Sequence, residues 1–176
     1  MTSEESDLER SAALIDAVSE HTGRAIAWLT LAMAVTGFVV VVLRYLLDTG
    51  FIWMQESLTW MHGAVFMLGA GYTLKHDEHV RVDVVYRRMT ERTRAVVDLV
   101  GTVLLLLPLC GYLLYETWPY VASSWRVAER SREAGGLPAL YLLKAVIPLM
   151  AVLLALQGGA TVLRCIGLLR RHRQEG

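Results

Sequence analysis

The chain has 176 residues, 55% of them hydrophobic, and its mean hydropathy is +0.42. A soluble domain of this size could not hide so many apolar side chains in its own core, so the composition excludes an ordinary soluble fold and indicates a membrane protein. The formal net charge of +0 leaves no excess of basic residues for a phosphate-binding face, so nucleic acid is not an expected partner.

The N-terminal segment is acidic and polar. Its first ten residues, MTSEESDLER, lack the basic and apolar regions of a cleavable signal, so we expect the first apolar run to remain in the mature protein. Within residues 7–20, Leu8, Ala12, Ile15 and Ser19 fall on one helical stripe, which predicts a short interfacial amphipathic helix. Two roles fit this helix equally: docking a partner, or lying on its own bundle or on the lipid surface.

Four apolar runs follow along the chain, at residues 25–43, 58–74, 95–115 and 137–163. Each is long enough to cross a hydrocarbon core of about 30 Å. Because backbone groups in lipid must pair within their own segment, each run is predicted to be a helix, and the fold class is an all-α membrane protein with four transmembrane helices. The connections are too short to bury a second core, so residues 1–176 are predicted to form a single membrane domain with tails at 1–24 and 164–176.

The distribution of Lys and Arg outside these runs predicts the orientation. One side of the membrane would hold both tails and the second loop, and the other side would hold the first and third loops. The first group of basic residues is Arg10, Arg24, Lys75, Arg81, Arg87, Arg88, Arg92, Arg94, Arg164, Arg170, Arg171 and Arg173, and the second is Arg44, Arg126, Arg130 and Arg132. By the positive-inside rule, both termini and the second loop are predicted to be cytoplasmic.

The second run is rich in small residues. Gly63 and Ala70 share one helical face, and Gly69 lies beside it. Small residues let two helix backbones approach closely, which replaces the hydrophobic drive that is absent between helices in lipid. We therefore expect this helix to pack tightly against protein, either within the same chain or in a partner.

The connection between the third and fourth runs carries an aromatic pattern. Trp118, Val121, Trp125 and Ala128 fall at helical spacing, which predicts a second short amphipathic helix, lying on the outer surface. Upstream, Pro108 is predicted to kink the third helix.

Lys144 is a basic residue inside the fourth run. A charge within lipid is costly, so its side chain must extend to the interface or meet an acid. The candidate acids are Glu56, Glu116, Glu129 and Glu133. Contact with an anionic substrate or partner is the functional alternative.

No group of residues predicts an enzyme. His76 and His79 could share a helical face, but no third ligand stands at a motif-like spacing, so no metal site is predicted. A haem-carrying electron-transfer subunit needs histidines at one depth on two spans, and only His62 lies within a run. Neither a nucleophile with a base nor a pair of carboxylates falls at one depth. No catalytic, cofactor-binding or metal residue is predicted, and a haem subunit or a regulatory or assembly membrane protein is the alternative reading.

Short motifs occur in a fixed order along most of the chain. They are Arg44-Tyr45, Trp53-Met54-Gln55-Glu56, the LGAGYTLK segment at 68–75, His79-Val80-Arg81-Val82-Asp83, Ser124-Trp125, Glu129, Ser131, Gly136-Leu137-Pro138, Lys144 and Pro148. In this order, and with four spans, the chain resembles the small membrane subunit (DctQ-like family) of tripartite ATP-independent periplasmic, or TRAP, transporters.

The resemblance implies a non-catalytic subunit that scaffolds a large multi-span permease subunit in the bacterial inner membrane. The permease would hold the sodium and substrate sites and move an organic acid in an elevator-like fashion. A periplasmic binding protein would deliver the substrate and dock on the outer surface of both membrane subunits. No cofactor is expected in this chain. The candidate structural or partner-contact residues are Arg44, Trp53, Glu56, Gly63, Gly69, Ala70, His79, Asp83, Trp125, Glu129 and Lys144.

Overall fold

The computed structural model describes residues 3–79 and 86–174, with side chains described for 9–79 and 86–171. Within these ranges the chain is helical and contains no strand, which confirms the all-α prediction. The helices are α1 (Ser3–Leu46), α2 (Ile52–Lys75), α3 (Glu91–Gly101), α4 (Leu107–Arg126) and α5 (Leu140–Gln174). A π turn, Thr102–Leu106, joins α3 to α4 without a break.

In the part of the chain that the structure describes, three stretches of helix are long and apolar enough to cross a membrane, whereas the sequence predicts four. They are Glu9–Leu46, Glu91–Arg126 and Leu140–Arg171. Helix α2, which contains the run at 58–74, has 24 residues and is therefore about 36 Å long, so its length is sufficient. Polar and small residues, among them Thr59, His62 and Gly69, dilute its apolar content, and this places it outside the group.

Neither of the two short interfacial helices exists as a separate element. The stripe at 7–20 belongs to α1, which continues through Gly23 because one glycine costs a helix only about 1 kcal/mol. Ala12 and Ser19 are each 4% exposed, so this stripe packs on the chain's own bundle. The aromatic segment at 118–128 is the last part of α4, which ends at Arg126 before Ala128 turns into the left-handed region at φ 44°.

Helix α5 lies at the centre of the bundle. α1, α2 and α5 pack against one another, whereas α3 and α4 pack on α5. Two glycines of α2 face α5: a Cβ added at Gly71 would lie 3.4 Å from the carbonyl oxygen of Leu153, and one at Gly63 would lie 3.6 Å from the side chain of Leu143, both ordinary van der Waals distances. Helix α2 therefore packs on α5 at these two positions, with room for a methyl group.

Successive long helices run in opposite directions between two ends of the bundle. At one end, which we call the terminal end, Glu9 pairs with Arg171 and Glu20 pairs with Lys75, so the start of α1 meets the ends of α2 and α5. At the other, the loop end, Glu56 near the start of α2 contacts the α4–α5 connection. Helix α2 therefore extends over the same distance as its neighbours.

The π turn lies where Pro108 had predicted a kink. Proline cannot donate a backbone hydrogen bond, and just before it the helix widens, so that the amide of Leu107 donates to the carbonyl of Thr102, five residues earlier. Gly158 of α5 faces this turn, and a Cβ added there would lie 2.9 Å from a methyl carbon of Leu106. The widened turn and the glycine thus fit together.

Candidate functional site

The loop end is fastened by the carboxylate of Glu56. It accepts one hydrogen bond from the hydroxyl of Ser131 and a second, of 2.6 Å, from the backbone amide of Leu137. A Cβ added at Gly136 would lie 2.7 Å from the same carboxylate, so the glycine leaves room for this contact. One acidic side chain on α2 therefore holds the connection between α4 and α5 in place.

Lys144 meets Glu129, one of the four acids that the sequence offered. The ammonium of Lys144 donates to the Glu129 carboxylate and lies 4.2 Å from the centroid of the Tyr120 ring. The two charged side chains are 14% and 26% exposed, so the pair is largely withdrawn from solvent. Because the pair links α5 to the segment just after α4, it acts as a structural contact within the chain.

The environment of Glu129 favours its charged form. The hydrogen bond donated by Lys144 is the main cause, and it lowers the pKa of the Glu129 carboxyl below the usual 4.5. The positive charges of Lys144 and Arg132 lower this pKa further. The pair is therefore fully formed at neutral pH.

Aromatic side chains surround these polar contacts. The ring of Trp125 packs edge-on against Tyr141 of α5 at a centroid distance of 4.9 Å, and Phe51 lies 6.2 Å from Trp53. Trp53 is 48% exposed and Trp125 is 50% exposed, so each ring is anchored on one side and open on the other. The loop end thus presents a firm, partly aromatic surface.

The terminal end is fastened by a buried polar network that the sequence analysis missed. Gln157 of α5, with 0% exposure, accepts a hydrogen bond of 2.6 Å from Ser19 and donates one of 3.0 Å to Asp16. Asp16 also pairs with Arg164. The start of α1 is therefore joined to α5 by hydrogen bonds in the interior of the bundle.

A second cluster joins α1 to α2. The carboxylate of Glu20 accepts a bond of 2.7 Å from Lys75, and it also contacts His76 at 3.3 Å and Arg24 at 3.2 Å. The Tyr72 ring packs on His76 at 4.4 Å between centroids. Glu20 of α1 thus binds the two basic side chains at the end of α2, Lys75 and His76.

A cavity of about 480 Å³ opens at the terminal end between α2, α3 and α5. Its charged lining residues are Lys75, Asp77, Asp98 and Arg164, and each of these already has a polar contact. Tyr86, for example, donates a bond of 2.6 Å to Asp98. Lys75 and Arg164 thus form ion pairs with α1, and Asp98 binds the segment that precedes α3.

The remaining predicted site residues lie at separate places. Gly63 packs on α5, whereas a Cβ added at Gly69 would meet nothing within 4 Å, so Gly69 faces open space. Ala70 is half-buried, and Arg44 and His79 are exposed near the ends of α1 and α2. Asp83 lies outside the described residues. The residues toward the loop end of the bundle are therefore Arg44, Trp53, Glu56, Trp125, Glu129 and Lys144, whereas Gly63, Gly69, Ala70 and His79 lie further along α2 or just after it.

The polar residues of the terminal end had a signal in the sequence. Gln157 is a polar amide inside a long apolar run, and such a residue in a membrane helix requires a hydrogen-bonding partner. Ser19 lies on the same helical stripe as Ala12, and both side chains are buried in the structure. Their pairing followed from neither pattern, because α1 and α5 are far apart in sequence.

The polar contacts described above join one helix to another or to a connection. Among the side chains that the structure describes, in 9–79 and 86–171, no three of His, Cys, Asp or Glu come together as a metal site requires. The two cysteines, Cys110 and Cys165, are free and buried. The polar contacts therefore fix the positions of the helices at both ends of the bundle.

Comparison with known proteins assigns the chain to a family. Residues 15–168 match the family described as the DctQ component of tripartite ATP-independent periplasmic transporters. The chain is 29% identical over 117 residues to a protein of Vibrio cholerae named C4-dicarboxylate TRAP transporter small permease protein DctQ. That match covers 66% of this chain and 49% of the relative, so the chain spans about half the length of the curated relative it matches. No solved structure matches the chain. Since the family match covers most of its length and agrees with the motifs read from the sequence, the chain belongs to the DctQ family of TRAP transporter small permease components.

Proposed function

We propose that this chain is a non-catalytic scaffold subunit of a TRAP-type secondary transporter. It braces a large multi-span permease subunit during sodium-coupled uptake of an organic acid that a periplasmic binding protein delivers. The observation that supports this most directly is the family match over residues 15–168, combined with a helical bundle whose polar contacts fasten it at both ends. A subunit that braces a permease during its transport movement needs a rigid bundle of its own.

The topology that we propose has both termini in the cytoplasm and four crossings of the bacterial inner membrane. Three helices are apolar and long enough to cross. Helix α2 runs between the same two ends, from Glu56 at the loop end to Lys75 at the terminal end, so it would cross with them as a helix covered largely by protein. The basic residues gathered at the terminal end support a cytoplasmic location for that end, in accordance with the positive-inside rule.

The loop end would then face the periplasm. Its half-exposed rings, Trp53 and Trp125, suit contact with the binding protein, because amphipathic aromatic side chains provide contact area with little loss of conformational freedom. Substrate and sodium would be bound in the large subunit, and this chain would need no cofactor.

Co-purification and uptake measurements test the proposal. Affinity purification of the tagged chain from native membranes should recover a much larger multi-span protein. Deleting the chain should abolish uptake of the transported organic acid, for which C4-dicarboxylates are the first candidates to assay, and should leave the substrate affinity of the purified binding protein unchanged. A stable lone monomer in native membranes, normal uptake after deletion, or a haem absorption band in the purified chain would contradict the proposal.

A further inference from the structure

Helix α2 carries a regular stripe of residues on the face turned away from α1 and α5. Its members follow one another at alternating spacings of three and four, which is the repeat of a left-handed helix–helix contact. We call this stripe the α2 seam, and its residues are Ile52, Gln55, Thr59, His62, Phe66, Gly69 and Thr73. The first five are exposed, with Phe66 at 74%, and the last two are half-buried.

The composition of the α2 seam is unsuited to lipid. His62 lies ten residues after Ile52 and thirteen before Lys75, which is about 15 Å and 20 Å along a helix, so it stands in the middle of α2. An exposed imidazole at such a depth, and the Thr59 hydroxyl about one turn nearer the loop end, would lose their hydrogen bonds to water, and polar residues in spans almost always face protein or a cavity. These polar groups are the reason that α2 falls outside the apolar spans.

Helix α1 provides the contrast within the same molecule. Its exposed stripe, Trp28, Leu31, Val35, Phe38 and Val41, is entirely apolar and suits contact with acyl chains. Phe38 is 69% exposed, which closely matches Phe66 on α2. Two faces of similar exposure thus differ in polarity, and only the one on α2 requires a partner with hydrogen-bonding groups.

We propose that the α2 seam binds one transmembrane helix of the large permease subunit. This inference rests on the proposed function, since it names the surface that the permease covers. The partner helix crosses α2 at a small left-handed angle and comes close at Gly69, where no side chain intervenes. It presents a small residue opposite the Phe66 ring and a hydroxyl or amide side chain that hydrogen-bonds to His62.

The experiment uses the complete transporter in native membranes. A photoreactive benzoylphenylalanine replaces Phe66 in one variant and Phe38 in a matched control, and the crosslinked products are identified by mass. We expect a covalent adduct with the large permease from position 66 and none from position 38. In a second measurement, H62L should lower the permease recovered with the tagged chain by roughly threefold to twentyfold, which corresponds to one interhelical hydrogen bond in a membrane. T30L, which changes an exposed threonine of α1, should leave recovery unchanged.

The outcomes separate the inference from the proposed function. If the unmodified chain recovers no large membrane protein, both are overturned. If the permease is recovered but crosslinks to position 38 rather than 66, or if H62L binds it as well as the wild-type chain, the α2 seam is not the contact and the scaffold function stands. An adduct at position 66 with a second copy of this chain also overturns the inference.

Discussion

The buried Gln157 offers the most direct test of how the bundle is held together. Its amide joins α5 to Ser19 and Asp16 of α1, and the side chain is 0% exposed. An interhelical hydrogen bond in a membrane contributes about 0.6 kcal/mol on average and up to about 1.7. Replacing Gln157 with Leu removes two such bonds while roughly conserving volume, so we expect it to destabilise the fold by about 1–3 kcal/mol.

The assay is reversible unfolding of the purified chain in mixed micelles by titration with dodecyl sulfate, followed by tryptophan fluorescence. Q157L is combined with S19A in a double-mutant cycle, which should give a coupling energy of about 0.6–1.7 kcal/mol for the Ser19 bond. Q55L makes the same chemical change at an exposed position of α2 and should alter stability by less than about 0.5 kcal/mol. A Q157L variant as stable as the wild-type chain, or a coupling energy of zero, would refute the role assigned to this network.

Three further outcomes are expected. Because the hydrogen bond from Lys144 lowers the pKa of Glu129 below the usual 4.5, their ion pair stabilises the fold above that pH and is lost as pH falls through the lowered value. Acid also breaks other pairs, such as Glu20–Lys75 and Asp16–Arg164, so the thermal midpoint should drop in acid for both chains but by less for E129Q than for the wild type, and equal drops would speak against the pair. E56A removes the acceptor of two hydrogen bonds from the α4–α5 connection and should raise the rate of limited proteolysis there about fivefold or more, whereas an unchanged cleavage rate would exclude the fastening role. G158V pushes a side chain into the π turn and should destabilise the fold by about 1–3 kcal/mol, while G159V, which meets open space, serves as the control; equal midpoints would show that the contact is not tight.

The all-helical class and the alternation of the long helices followed from the sequence, because apolar runs in lipid have few alternatives to a helix. The number of apolar spans did not, since α2 is not among the three that are apolar enough to cross. The prediction of two separate interfacial helices was wrong. The amphipathic periodicity at 7–20 and 118–128 indicates that one face of each segment packs on protein. It does not indicate whether the segment bends away from the span next to it in the sequence. Gly23 and Pro119 lie at the two junctions, but neither ends the helix, so the segments are continuous with the spans in α1 and α4.

The candidate site was predictable where a residue had few possible partners. Lys144 required an acidic partner near one end of its helix. Four acidic residues were available there, so the sequence limited the choice of partner without identifying it. The contact between Glu56 and Leu137 could not be predicted, because it uses a backbone amide that any sequence would supply. The hydrogen bonds of Gln157 depend on the crossing angle between α1 and α5. That angle is set by packing along the full length of both helices.

The π turn has a consequence for chain length. Ala95 and Thr102 are buried seven residues apart, but the next buried position is Cys110, eight residues further, with Ser124 two heptads beyond it. A regular helix would direct residue 109 inward instead, because each residue adds about 100°. Deleting one residue from 102–106 would bring the cysteine now at 110 to the seventh position after Thr102, so a regular α-helix could keep both residues facing the interior. At any other point of α3 or α4 the same deletion would rotate the two halves by about 100° relative to each other. We therefore expect a one-residue deletion to be tolerated better at the π turn than elsewhere within these helices.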